Sequence, residues 1–318
     1  MKKHAIVTAS DAKYGDFLID HWFRSLRENV NLAEIQPVIL DYGLSTAQRF
    51  YLNEHGAVLA PYPKDGHVVV IRFTHLADFL KENQYDQVIL SDGGDIIFQD
   101  DFSSILNDHP ELFRGVREDL RSGFGIFITD EFFNREDKHR LRETLMDEEM
   151  VNAGFIVGPR EKMMKLGHAV EEMIKTKTKF GPDQLVVNYL FLKEGFHPLD
   201  RRYNFVIATA QAKIEIREGL FYADGELIPV VHNTGNFSFL RPVERFGYGP
   251  GRNQLKRDLL KALHTLHSTT DSFYETRSAL KNRVKHLTEE LSKGAEQSQD
   301  QLQESWDDFR KLFFGDEE

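Results

Sequence analysis

The chain has 318 residues, 41% hydrophobic and 29% charged, so it can bury a large core and is not disordered. Its net charge of −11 is the wrong sign for a phosphate-reading surface, and it has no cysteine, so nucleic-acid binding is not expected and disulfides, thiol catalysis and zinc–thiolate sites are excluded. Apolar runs are too short for a transmembrane span, and the start MKKHAIVTAS lacks the apolar stretch of a secretory signal, so a cytoplasmic location is expected.

In chain order, His4–Thr8 reads as a buried strand, Ala9–Asp16 as a loop, and Phe17–Glu28 as a helix. Glu34–Leu40 and Ala57–Pro61 read as strands, Val68–Asn83 as a strand-like start running into a helix, and Gln87–Leu90 as a further strand. This alternation predicts an α/β domain with a mixed, mostly parallel sheet flanked by helices, whose ligands bind at the carboxyl ends of strands. Thr8–Tyr14 and Ser91–Asp95 both lie at such ends. A Gly-containing strand is expected within Glu118–Asp130, another at Met150–Gly158, and helices at Lys162–Lys175 and Asp183–Phe191. Short strands follow across Arg217–His232, turning at Ala223-Asp224-Gly225. Gly/Pro-rich Arg241–Arg252 ends the globular region, which gives a domain over 1–250 and a helical tail over 253–318.

In the tail, Leu259, Leu263, Leu266, Thr270, Phe273, Arg277, Leu280, Val284, Leu287 and Leu291 step by four and three as a heptad seam, weakened at Thr270 and Arg277. Leu302, Trp306, Phe309 and Phe313 form a second stripe. The period fits packing on the domain, homo-oligomerisation through a coiled coil, or a partner or membrane surface, and does not choose among them.

The most informative stretch is QVILSDGGDIIFQDD, Gln87–Asp101. Two apolar runs flank Asp92-Gly93-Gly94-Asp95, and carboxylates beside buried strands are costly unless a cation compensates them. In a continuous strand, residues three apart face opposite ways, so the two glycines are needed to bring both carboxylates to one side. Such a pair suits a hard divalent ion that also holds phosphate oxygens.

This stretch resembles the Asp-x-Asp metal signature of GT-A nucleotide-sugar glycosyltransferases, in its Asp-x-x-Asp variant followed by an aliphatic pair and Phe-Gln. The resemblance implies that Asp95 chelates Mn²⁺ or Mg²⁺, while Asp92 meets the ribose, the metal or both, with Ser91 and Gly94 at the donor. Three later segments fit in order. Asn152-Ala153-Gly154 resembles the strand bordering the donor sugar, Asp183-Gln184 the element reaching that sugar, and Val230-Val231-His232 the strand whose histidine completes the metal site. By the same resemblance Asn152, Asp183 and Gln184 are catalytic candidates. Thr8-Ala9-Ser10 with Tyr14 would hold the nucleotide, and Arg72 would face the diphosphate.

The resemblance implies metal-dependent transfer of a sugar from a nucleotide-sugar, UDP-linked and with retention, to the hydroxyl of a glycan, lipid, protein or small-molecule acceptor. Were the outcome inverting, Glu118 or Asp119 would be the candidate base. Two other functions compete. A sugar-phosphate nucleotidyltransferase would want a Gly-rich basic loop after the first strand, and Thr8–Gly15 has one glycine and one lysine. A non-catalytic nucleotide-sugar or glycan-binding scaffold would not need the full metal triad. Asn236-Phe237-Ser238 matches a glycosylation acceptor, read as chance in a chain without a secretion signal.

Overall fold

The computed structural model describes residues 2–121, 124–235 and 240–294. The first strands are β1 His4–Ser10, β2 Ile35–Asp41, β3 Val58–Pro61, β4 Gln87–Ser91, β5 Ile96–Phe98, β6 Phe113–Arg117, β7 Val151–Pro159 and β8 Phe196–Pro198. All but β5 form one sheet in the order β3-β2-β1-β4-β7-β6-β8. β1 runs parallel to β2 and β4, β2 parallel to β3, and β6 parallel to β8, while β7 is antiparallel to both β4 and β6. This is the mixed, mainly parallel α/β sheet expected.

The sheet is buried on both faces, and the period of two shows which residue serves which core. Ala5, Val7, Val88, Leu90 and Ile156 point into one core, with the helices Val68–Glu82, Arg135–Leu145, Arg160–Met173 and Asp183–Glu194. Ile6, Ile89, Phe155 and Val157 point into the other, against Leu18, Trp22, Phe23 and Leu26. Those last residues lie on a helical run made of Ala12–Phe17, a π segment Leu18–Phe23 and Arg24–Asn29.

Downstream, β9 Phe205–Val206, β10 Ile214–Arg217, β11 Leu220–Ala223, β12 Glu226–Leu227 and β13 Val230–His232 add two small sheets. β13 pairs antiparallel with β5 and parallel with β9. The β11–β12 turn is the expected Asp224-Gly225, both residues at positive φ (51° and 90°), as a two-residue hairpin of this twist requires. Gln99 knits β5 to this region. Its amide donates to Phe221 O (3.1 Å) and Ile228 O (2.7 Å) and accepts from Phe221 N (2.9 Å).

Three local expectations are corrected. Ala9–Asp16 is not all loop. Asp11 Oδ1 accepts from Lys13 N (3.0 Å) and Tyr14 N (3.2 Å), capping a helix that starts at Ala12. Val68–Ile71 is helical from its first residue, because helix Val68–Glu82 lies between the sheet and helix Arg160–Met173 and so needs apolar residues on most of its surface. No strand forms among the described residues of 118–130. β6 ends at Arg117, and Phe124–Phe127 makes a 3₁₀ turn.

Helices Val68–Glu82 and Arg160–Met173 meet at Gly167, where a Cβ would run into the Phe73 carbonyl and lie 2.6 Å from Ala77 Cβ. Alanine gains about 1 kcal/mol of helix propensity over glycine, but the overpacking costs about 1–3 kcal/mol. Gly167→Ala is therefore expected to lower the melting temperature, and a rise would show that the two helices can move apart freely.

Two compact units are distinguished, Met1–Ser272 and Phe273–Glu318, and the helix Arg257–Gly294 crosses their boundary. Of the heptad positions, Leu263 is buried while Leu266, Phe273 and Leu280 are 60%, 65% and 45% exposed. The stripe from Leu302 to Phe313 and the Asn236-Phe237-Ser238 match lie outside the described residues. No described helix is long and apolar enough to cross a membrane.

Candidate active site

Asp92 is the first residue after β4 and Asp95 the last before β5. Asp92 N donates to Gly154 O (2.7 Å), which holds the start of the turn to β7. Neither Gly93 nor Gly94 has a left-handed φ; Gly93 is needed for space, and Gly94 lies close under Tyr14. A Cβ on Gly93 would stand 2.5 Å from Thr8 Oγ1, and one on Gly94 3.3 Å from the Tyr14 ring. The end of β1 and the helix after it are thereby packed directly on the aspartate turn.

The pairing of His232 with Ile96 sets the last residue of β13 beside Asp95. His232 Nε2 lies 3.5 Å from Asp92 Oδ2 and 3.4 Å from Asp95 Oδ1. Its Nδ1 donates to Asn204 Oδ1 at 2.9 Å, which fixes the tautomer and aims Nε2 at the carboxylates. The three ligand atoms lie within 4.8 Å of one another. Two hard oxygens and one imidazole nitrogen fit Mn²⁺ or Mg²⁺ better than a soft ion. Gly154 makes the room, since a Cβ there would fall on the His232 ring.

Behind the histidine runs a chain of buried amides. Asn204 Nδ2 donates to Asn152 Oδ1 (3.1 Å), which also accepts from Gly154 N (2.9 Å), and Asn152 Nδ2 donates to Glu118 Oε1 (2.8 Å). Asp183 and Gln184 are brought alongside by Asn188. Its side chain accepts from Val151 N (2.7 Å) and donates to Val151 O (2.8 Å), tying their helix to β7.

Charge is balanced by protein cations. Arg72, buried on helix Val68–Glu82, pairs through Nη1 with Asp92 Oδ1 and donates through Nη2 to Ala153 O (3.2 Å). Arg241 Nη2 lies 3.1 Å from Asp95 Oδ2. Burial works against the Asp92 carboxylate, but Arg72 and His232 outweigh it and bring its pKa down to about 2. Burial likewise opposes the His232 imidazolium, yet Asp95 and Asp92 together raise it to about 9. The Thr8 hydroxyl, Arg72 Nε and Gln184 Nε2 are buried without a hydrogen-bond partner, leaving polar capacity around the cluster for a ligand.

Burial raises Asp183 to about 6, more than Arg72 lowers it. With the folded pKa above the unfolded value of 3.8, the folded state holds the proton longer, so stability declines as pH rises between those values and the loss is complete above about 6. With divalent ions chelated, Asp183→Asn is expected to be more stable than wild type at pH 7, by on the order of 1–3 kcal/mol, and equal to it near pH 3. Melts across that range would refute the assignment if the two curves stay parallel.

Of the residues singled out from sequence, Asp92, Asp95, His232, Asn152, Asp183 and Arg72 gather in this cluster, with Gln184 beside Asp183. Tyr14 and Thr8 border it through the two glycines. Ser91 is buried, its Oγ accepting from Trp22 Nε1 (3.1 Å), and Ser10 Oγ donates to Asp11 O (3.2 Å). Ala9 is partly buried against the first core. Asp119 is drawn away, accepting from Gln211 N (2.7 Å) and Arg201 (3.3 Å). Arg241, Asn204 and Asn188 were not anticipated. Arg241 is brought over Asp95 by Asn233, whose backbone N donates to Asp95 O (2.9 Å) while its side chain pairs with the Val243 backbone (3.1 and 3.2 Å).

The model of glycosyltransferase family 8 matches residues 23–236, a span containing both aspartates, the Asn-Ala-Gly strand, the Asp-Gln helix start and His232. The chain belongs to glycosyltransferase family 8. As a member of that family it is a glycosyltransferase using a nucleotide-sugar donor and an acceptor. Among solved structures it is similar to the galactosyltransferase LgtC in complex with donor and acceptor sugar analogs, at 16% identity over 83% of this chain and 96% of that one, TM-score 0.51. An active-site mutant of LgtC aligns at 17% identity over 81% and 94%, TM-score 0.52. The bifunctional glycosyltransferase WbbM aligns at 13% identity over 82% of this chain and 50% of that one, TM-score 0.51. At these identities the likeness shows the fold alone, the GT-A fold expected. No curated protein matches the chain by sequence.

Proposed function

We propose that this family 8 enzyme transfers a sugar from a UDP-sugar to an acceptor hydroxyl, with retention of configuration and dependence on Mn²⁺ or Mg²⁺. The observation that carries the reading is the convergence of Asp92, Asp95 and His232, with His232 Nε2 facing both carboxylates and Nδ1 held by Asn204. These three side chains would hold the ion, which when bound offsets the negative charge building on the leaving diphosphate. Arg72 and Arg241 supply fixed positive charge at the same place, and both are already anchored, so little reorganisation is needed as charge develops. Asn152, Asp183 and Gln184 orient the donor sugar, and Tyr14 offers a 44% exposed ring beside Gly94 for the nucleobase. Retention is supported by the engagement of the two carboxylates an inverting reaction would draw on, Glu118 with Asn152 and Asp119 with Arg201.

The reading is tested by calorimetry with UDP and GDP, each with and without Mn²⁺. UDP binding that requires Mn²⁺ and exceeds GDP binding is expected. Binding independent of metal, or none with either nucleotide, would overturn the metal and donor assignments while leaving the family intact.

A further inference from the structure

Away from the aspartate turn, a second group of metal-binding side chains converges. Asp108 and His109 lie on the segment before β6, and His197 is the middle residue of β8. Their ligand atoms also lie within 4.8 Å of one another. The Asp108 carboxylate reaches both imidazoles, Oδ1 at 2.7 Å from His109 Nδ1 and Oδ2 at 3.5 Å from His197 Nε2. The two rings stack at 3.8 Å with 14° between their planes, so one ring must rotate for both nitrogens to face a single ion.

The backbone beneath is fixed before any ligand arrives. His197 pairs with Arg114 across β8 and β6. The buried Arg114 guanidinium donates through Nη1 to Ile105 O (2.6 Å) and Asp108 O (2.9 Å) and through Nη2 to Gln87 Oε1, leaving the Asp108 carboxylate to the histidines. Gln87 Nε2 donates to Pro110 O at 3.0 Å. His109 holds a left-handed backbone (φ 43°), a conformation uncommon for a residue with a side chain.

We propose that Asp108, His109 and His197 form a second divalent-cation site, one that takes a borderline ion such as Zn²⁺. Two imidazoles and one carboxylate select Zn²⁺, Cu²⁺ or Ni²⁺ over Mn²⁺ and Mg²⁺, which prefer oxygen. Ligands at Zn²⁺ bond lengths in a tetrahedron stand ~3.3 Å apart, close to the spacing of His197 from Asp108, and exposure leaves the fourth position to water. The site is separate from the reaction centre. Gln87 opens β4 at this end and Asp92 follows its other end, on the order of 15 Å away along the strand. An ion here would bind the segment before β6 to β8 and raise stability without entering the chemistry.

The test is a Zn²⁺ titration by calorimetry on the untagged, chelator-treated full chain, comparing wild type with His197→Gln and Asp108→Asn. Wild type is expected to bind one more equivalent than either variant, and Zn²⁺ is expected to raise its melting temperature more than theirs. Melts in chelator establish that each variant is folded, and both variants should keep their Mn²⁺-supported sugar transfer. Equal zinc equivalents in all three proteins would overturn the proposal. So would loss of the extra equivalent in only one variant, since the site needs both residues.

Discussion

Asp95→Asn is expected to reduce sugar transfer by about a thousandfold, with the chain still folded. Asparagine keeps the shape of the side chain while removing its charge and replacing one oxygen with NH2, so packing against β5 and β13 is preserved. What is lost is the oxygen facing His232 Nε2 at 3.4 Å, together with the charge that Arg241 meets at 3.1 Å. Arg72, Arg241 and His232 are then met by one carboxylate of the triad instead of two, so the cluster becomes one charge more positive just where a further cation must bind. Mn²⁺-dependent UDP binding should disappear in the same variant, which separates a metal defect from an acceptor defect. Activity within about tenfold of wild type in saturating Mn²⁺ would remove Asp95 from the site.

Gly154→Ala is expected to disable the same site by a route that touches no charge. The new methyl would occupy the place of the His232 ring, 2.8 Å from Asp92 Oδ2 and 2.9 Å from Asn152 Oδ1. Neither neighbour can withdraw easily. Asn152 is held by Glu118 and Asn204, and Asp92 by Arg72. The ring must therefore turn off Asn204, forfeiting the bond that aims Nε2. Overpacking of this kind costs about 1–3 kcal/mol, and loss of the orienting partner weakens metal affinity about a hundredfold. A Mn²⁺ titration of activity checks this, and an unchanged half-saturation point would show that the histidine does not ligate.

Much of the site was legible because each motif carries its chemistry within a few consecutive residues. Asp92-Gly93-Gly94-Asp95, Asn152-Ala153-Gly154 and Asp183-Gln184 announce themselves by placing polar residues against apolar runs at the ends of elements. His232 was legible only through the resemblance, since a lone histidine closing a short apolar strand has no local signal of its own. Arg241, Asn204 and Asn188 act across long sequence separations through single hydrogen bonds, and periodicity holds no record of such partners. The failure at Val68–Ile71 has a different cause. Four β-branched residues in a row favour a strand locally, and burial of most of the helix surface overrides that preference. The segment after β6 was read as a strand from its aliphatic residues, yet the chain leaves the sheet at Arg117.

The pairing of β13 with β5 makes the order of synthesis matter. Asp92 and Asp95 leave the ribosome well before His232, at about 5–20 residues per second a delay on the order of ten seconds. Throughout that delay the two aspartates have no His232 imidazole to meet. A chain stalled or cleaved before Val230 lacks the third side chain of the triad and is expected to be inert. The triad is complete only when the strand carrying the histidine docks beside β5, so competence is expected late in synthesis.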